Sequence, residues 1–398
     1  MLKSRDQFST RAWRGIDTSN LGFTMKVTFV LPLADMGGGC RVVATYAHRM
    51  IQRGHDVVVV HHPYTSLRGR VSSAIGRIFS KERWNPSRTH LDLLNVPQIS
   101  LLDSQAVDDD TIPNADVVIA TGYTTANEVL SLSPKKGVKA YFIQGYEAVL
   151  QGADQDIVNK TWTYPMRKIV VAPWLEQIAR RDFGDSSAII VANGVDTRHF
   201  TAPPRDKRSR PTVGFIFSHP DCKGSDVVIK ALIELKQIIP HLRLVAFGNS
   251  WRRRLRNGLR LPRWAEYDVL PSQSRIRHIY AQCDVWVCAS RSEGFGLPLL
   301  ESMSCRTPVV STPIGIAPEL AKQGGLSLIP FDVPWELAKE LRRILDLPVD
   351  DWSTLSEEAY RTSQKYDVEQ SALQFEKALE QIVSGRTWQA PNTSDTYR

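Results

Sequence analysis

Residues 284–319 read DVWVCASRSEGFGLPLLESMSCRTPVVSTPIGIAPE. The run DVWVCA at 284–289 is short, apolar and β-branched, as a strand buried on both faces should be. A tight loop follows, and Pro298 stands where a first helical residue belongs, because its missing N–H is no loss there. Gly294 and Gly296 let backbone approach a ligand closely. The free amides at such a helix start, with the helix dipole behind them, form an anion site. Glu293 and Glu301 flank that start, and carboxylates accept hydrogen bonds from the hydroxyls of a sugar or ribose. Either glutamate alone reads as incidental. The two acids, two glycines and proline together read as a site for a phosphorylated, hydroxyl-rich ligand.

Outward from this stretch, apolar strand-like runs alternate with helical patterns. Strands are expected at 26–31, 57–61, 116–121, 138–143, 169–172 and 188–192, then at 212–217, 242–247, 284–289, 308–311 and 326–329. Two successive βαβ series predict an α/β chain of two Rossmann-like, doubly wound domains with a cleft between them. The segment TAPPRDKRSRP at 201–211 is the expected linker. The expected organisation is an extension over 1–24, a first domain over 25–200, a second over 212–366, and a helix at 367–383 that crosses back to the first domain. A frayed tail at 384–398 follows. Ligands of such sheets bind beyond the carboxyl ends of the strands, so a shared ligand would lie in the cleft.

The chain of 398 residues has a formal net charge of +8, which fits an anionic partner and equally fits general solubility. Its five cysteines, Cys40, Cys222, Cys283, Cys288 and Cys305, include no CxxC pair. That argues against a disulfide framework or structural zinc, and fits buried thiols in a reducing compartment. No apolar run is long enough to span a bilayer, and 1–24 has no apolar core of a secretory signal. A cytoplasmic location is expected.

The stretch EGFGLPLLE, with seven residues between Glu293 and Glu301, and the following PVVSTPIGIAPEL resemble the E-x7-E region of retaining GT-B glycosyltransferases of family 4, the glycosyl transferases group 1. The resemblance implies a GT-B fold and a UDP-, GDP- or TDP-sugar donor, with no metal or other cofactor. It gives Glu293 the donor sugar, Glu301 the ribose, and the amides of Gly294, Phe295, Gly296 and Leu297 the diphosphate. SHPDCKGSD at 218–226 resembles the family's R-x4-K-G loop. Lys223 would neutralise the departing diphosphate, with Gly224 beside it and Ser218 where the family has arginine; His219 or Arg291 would have to replace that charge. LADMGGGCR at 33–41 resembles the first-domain glycine loop, with Gly38 and Gly39 facing the donor. A dinucleotide fingerprint fails there, because Val42 stands at its last glycine. YFIQGYEAVL at 141–150 sits where relatives carry a histidine near the reacting sugar. Gln144 and Tyr146 would face the acceptor and Glu147 would orient it. With TWTYPMRKIVVAPWL at 161–175 it resembles a subgroup that includes rhamnosyltransferases of bacterial surface glycans. VANGVDTRHF at 191–200 resembles the family's interdomain turn.

The acceptor expected from this resemblance is a glycan or a lipid-linked glycan of surface polysaccharide synthesis. A sugar-nucleotide epimerase on the same fold and a non-catalytic binder, the latter motivated by Ser218, remain the alternatives. The basic segment 67–83 reads as a helix for an anionic membrane surface, on the inner face of the membrane, or as an ordinary surface helix. WRRRLRNGLRLPRW at 251–264 lacks a recognised nucleic-acid motif, so no nucleic-acid partner is expected; it reads as a phosphate-facing or membrane-facing loop.

Overall fold

A computed structural model describes residues 24–62, 89–102, 105–149 and 152–385. Residues 1–23 of the expected N-terminal extension, the 67–83 segment and nearly all of the tail lie outside the described residues.

Short apolar runs become strands buried on both faces, and helices cover them. The first sheet holds β1 (Lys26–Leu31), β2 (Asp56–His61), β3 (Gln98–Ser100), β4 (Val117–Ala120), β5 (Val138–Ile143), β6 (Arg167–Val170) and β7 (Ile189–Ile190). Its order is β3-β2-β1-β4-β5-β6-β7, and its pairings are parallel. The second sheet holds β8 (Thr212–Ile216), β9 (Arg243–Gly248), β10 (Ala265–Val269), β11 (Val285–Cys288), β12 (Val309–Ser311) and β13 (Leu326–Leu328). Its order is β10-β9-β8-β11-β12-β13, again parallel throughout. Both sheets are therefore Rossmann-like. Each reverses its winding beside its first strand, between β1 and β4 and between β8 and β11, where such sheets open a crevice.

The strand expectations missed two edge elements. Strands β3 and β10 were not anticipated, because each lies at a sheet edge and carries polar, part-exposed residues in place of an apolar run. The segment 201–211, between β7 and β8, is tied to the second domain. Arg205 lies against the buried Asp284 carboxylate and over the Trp352 ring at 4.6 Å, and the Lys207 ammonium donates to the Leu345 carbonyl at 2.8 Å.

The chain crosses between the sheets twice. The two crossings meet where Val195 pairs with Asp367, so closely that a Cβ on Gly194 would lie 2.5 Å from the Val368 Cα. Beyond that point the helix Val368–Ser384 packs on the first domain. Phe375 is fully buried there, with ring centroids 4.9 Å from Tyr46 and Phe142 and 5.9 Å from Phe29. At the rim of that contact, Glu376 lies 3.0 Å from the His55 ring. These two crossings hold the carboxyl ends of both sheets toward one cleft.

Candidate functional site

The loop after β11 ends in the helix Leu297–Ser304, which Gly296 caps at φ 96°, a conformation that strains any other residue. Pro298 is the second helical residue, not the first. Gly315, at φ 54°, folds the next loop back against the turn, so that the Ile316 amide donates to the Phe295 carbonyl at 2.9 Å. A Cβ on Gly315 would fall 2.1 Å from that carbonyl oxygen. The loop after β8 is held in the same way. Gly224, at φ 63°, would put a Cβ 1.8 Å from the Ala289 carbonyl oxygen, and it brings Lys223 beside the helix start.

A cavity of about 390 Å³ opens where these loops meet the first domain. From the second domain, Ser218, Lys223, Glu293, Gly294, Phe295, Gly296, Leu297 and Glu301 line it, and Gly38, Gly39 and Gln144 line it from the first. The Lys223 ammonium donates to Glu293 Oε1 at 2.8 Å, and the Ser290 hydroxyl donates to the same oxygen at 2.9 Å. Burial works to lower the Lys223 pKa, but the Glu293 carboxylate outweighs it and the net direction is upward, so the lysine stays charged.

The helix Gly38–Gln52 starts on the opposite wall, so two helix N-termini face one cavity. The two walls touch. The Trp174 indole of the first domain donates to the Gly294 carbonyl of the second at 2.9 Å, while Gln144 donates through Nε2 to the Gly39 carbonyl at 3.3 Å within the first-domain wall. Gly294 has no left-handed φ; its missing side chain is required by the Gln144 carbonyl, whose oxygen would lie 1.7 Å from a Cβ.

Three sequence expectations are corrected here. Tyr146 does not reach the cavity: its hydroxyl donates to Asn159 at 2.6 Å and its ring packs edge-on against Trp162. Glu147 does not reach it either. Its carboxylate accepts from the Tyr123 amide at 2.7 Å and from the Tyr141 hydroxyl at 3.4 Å. It serves the start of the helix Tyr123–Ser131, whose N-cap is Gly122 and has no side chain to do so. Burial raises the Glu147 pKa above the usual carboxylate range, against the lowering effect of these two donors. The arginine missing at Ser218 is not replaced by His219 or Arg291. His219 packs its ring against Phe217 at 5.4 Å. Arg291 pairs with Asp226 at 3.1 Å and Asp332 at 2.6 Å, and neither residue lines the cavity.

The second cation at the cavity comes from the other domain. Arg41 crosses the cleft to pair with the Glu301 carboxylate, and its other nitrogen donates to Gln273 Oε1 at 3.3 Å. The Tyr280 hydroxyl donates to the second Glu301 oxygen at 2.9 Å. Glu301 therefore holds two donors in a site where its side chain is 5% exposed. A second cavity, of about 260 Å³, adjoins along this pair and is lined by His48, Arg49, His90 and Phe200 among others. Burial, and then the Arg41 charge, push the His90 imidazole down to about 4. One sequence signal for Arg41 existed: a cation in the first turns of a helix opposes the dipole and needs a partner elsewhere.

Of the five cysteines, Cys40, Cys283 and Cys305 are buried and Cys222 and Cys288 only half so; none is bridged. No helix among the described residues is long and apolar enough to cross a membrane.

Residues 201–362 match the family model of the glycosyl transferases group 1. That interval covers the linker and nearly the whole second domain, cavity loops included. The chain is similar to the GDP-mannose:cellobiosyl-diphosphopolyprenol alpha-mannosyltransferase of Xanthomonas oryzae, at 25% identity over 65% of this chain and 72% of that protein. It is 27% identical to the O-antigen biosynthesis protein RfbC of Myxococcus xanthus over 50% of this chain, and spans 16% of that relative's length. In fold it is similar to HepE of Anabaena, solved with UDP and glucose, at a TM-score of 0.69 and 15% identity over 89% of this chain and 99% of that one. The two-domain architecture is accordingly that of the GT-B fold.

Proposed function

We propose that this chain is a glycosyltransferase that moves a sugar, with retention, from a nucleotide diphosphate sugar to a glycan or lipid-linked acceptor. One observation carries the reading: a charged lysine, two carboxylates and two helix N-termini converge on one cavity between two Rossmann-like sheets. The match of 201–362 to the group 1 transferases supports it.

In this reading the amides of Gly294, Phe295, Gly296 and Leu297 and the Lys223 ammonium hold the diphosphate, Glu293 holds the donor sugar, and Glu301 the ribose. The acceptor enters from the Gly38, Gly39 and Gln144 side. The bond from the anomeric carbon to the diphosphate oxygen breaks while the acceptor oxygen bonds that carbon on the same face. The acceptor proton passes to the departing phosphate, and Lys223 stabilises the negative charge that develops there. Arg41 is a positioning residue. It pairs with Glu301 and fixes the carboxylate in place, and exchanges this contact for phosphate when ribose hydroxyls reach the carboxylate. No metal takes part. A role in surface polysaccharide synthesis follows the named relatives, and free thiols suit the cytoplasmic side.

The test is a thermal-shift panel of UDP-, GDP- and TDP-sugars, followed by detection of released nucleoside diphosphate. A donor that binds the native chain must raise its melting temperature. A panel without any shift refutes the reading. A donor that binds but is neither transferred nor hydrolysed favours a non-catalytic binder, the alternative that Ser218 keeps open.

A further inference from the structure

From Leu235 to Ala265 the chain contains no acidic residue, and 251–264 carries six arginines, at 252, 253, 254, 256, 260 and 263. The structure makes this segment a presented hairpin rather than a loose loop. Arg254 and Arg260 face each other as an antiparallel pair. The bonds that flank them run from the Leu261 amide to the Arg253 carbonyl at 2.8 Å and from the Leu255 amide to the Leu259 carbonyl at 2.7 Å. Arg254 and Arg260 are thus a non-hydrogen-bonded pair, the arrangement that brings facing side chains closest. Leu255 and Leu261 point the other way and are buried, at 7% and 3% exposure. Underneath, Arg253 lies over the Tyr267 ring at 5.6 Å, and the Tyr267 hydroxyl is tied to the Ser250 carbonyl at 2.7 Å.

Like charges directly opposite each other destabilise a strand pair. Among the described residues no carboxylate pairs with Arg252, Arg254, Arg260 or Arg263. The geometry points to an external anion, and we infer that this hairpin docks the second domain on an anionic phospholipid surface. Two observations favour lipid over nucleic acid. Trp251, 54% exposed at the base of the hairpin, supplies the indole that suits a headgroup interface. The other nearby rings are already covered by cations, Trp264 by Lys236 at 4.7 Å and Tyr267 by Arg253, which leaves the single indole of Trp251 where a bound strand needs a row of rings for successive bases. The inference does not depend on the transferase reading.

Sedimentation of the full chain with phosphatidylglycerol–phosphatidylcholine vesicles at low and high salt tests it. The chain should bind the anionic vesicles at low salt, release at high salt, and ignore pure phosphatidylcholine. Each arginine near such a surface contributes about fivefold in partitioning, so Arg254→Gln with Arg260→Gln should weaken binding about 25-fold. Fluorescence quenching by brominated lipid should largely disappear in Trp251→Phe. An unchanged thermal midpoint of the double variant shows that the fold is intact. The inference is overturned if the chain ignores anionic vesicles, if the double variant binds them as the parent does, in which case another segment does the work, or if DNA or RNA displaces the vesicles by competing for the same arginines.

Discussion

Replacing Gly294 by alanine separates the closed cleft from the fold that carries it. The backbone of Gly294 lies outside the left-handed region, so alanine meets no conformational penalty at that residue. The methyl group, however, would sit 1.7 Å from the Gln144 carbonyl oxygen and 3.1 Å from the Gly145 Cα. To restore ordinary contact the two walls must part by roughly 2 Å. That movement breaks the 2.9 Å bond from the Trp174 indole to the Gly294 carbonyl and draws Gln144 and Gly39 together away from the helix start at Gly296. Each sheet keeps its own core, so the melting temperature should change little. A misplacement of about 1 Å between reacting groups can cost about a hundredfold. Gly294→Ala should therefore lower kcat/KM for donor and acceptor by about that factor, measured as initial rates of nucleoside diphosphate release. The control is Gly145→Ala. Its Cβ would meet the Gly294 Cα at 3.4 Å, an ordinary contact, and it should behave nearly as the parent. If Gly294→Ala turns over at the parental rate, the touching walls are not the working arrangement, and Gln144 and Gly39 lose their place at the acceptor side.

Three further outcomes follow from the same geometry. Lys223→Ala removes the cation that stabilises the leaving group and should reduce kcat by about 10²-fold or more in steady-state assays, with the far-UV dichroism unchanged. Arg41→Ala leaves the 5% exposed Glu301 carboxylate with Tyr280 as its side-chain donor and should cost on the order of 2 kcal/mol in denaturant melts; adding Glu301→Gln should recover most of it, and additive losses would show that the pair is not coupled. His90, 6% exposed, stays neutral in the folded chain down to about 4, whereas the unfolded chain protonates it near pH 6.5, so its contribution is present above that pH and is lost as pH falls toward 4, by about 3 kcal/mol in all. Thermal midpoints between pH 7 and 4.5 should fall less steeply in His90→Gln than in the parent.

What the residues disclose in advance depends on how far away their reason lies. The strands at 26–31 and 138–143 can be read to the residue because both faces of each are buried beyond the first residues, and burial writes a largely apolar run. Strands β3 and β10 could not, because an edge strand spends half of its surface on solvent and its sequence looks like loop. The same division runs through the cavity. Gly296 and Gly224 are demanded by their own φ, and the turns they make are visible in the neighbouring Pro298 and Lys223. Glu147 and Tyr146 follow a strand into the cleft side of the sheet, but which way each side chain swings was decided by a bare helix start at Tyr123 and by Asn159, neither of which adjoins them in sequence. Arg41 and Glu301 stand 260 residues apart, and no local pattern joins them. Gly294 is the sharpest case. In sequence it is indistinguishable from Gly296 two positions on, yet its φ is ordinary, and alanine is excluded only by the backbone of the other domain. A glycine required by its own turn holds a loop in shape; a glycine required by a facing domain records a contact that the molecule must be able to make, and the closeness of the cleft is therefore inscribed at that residue.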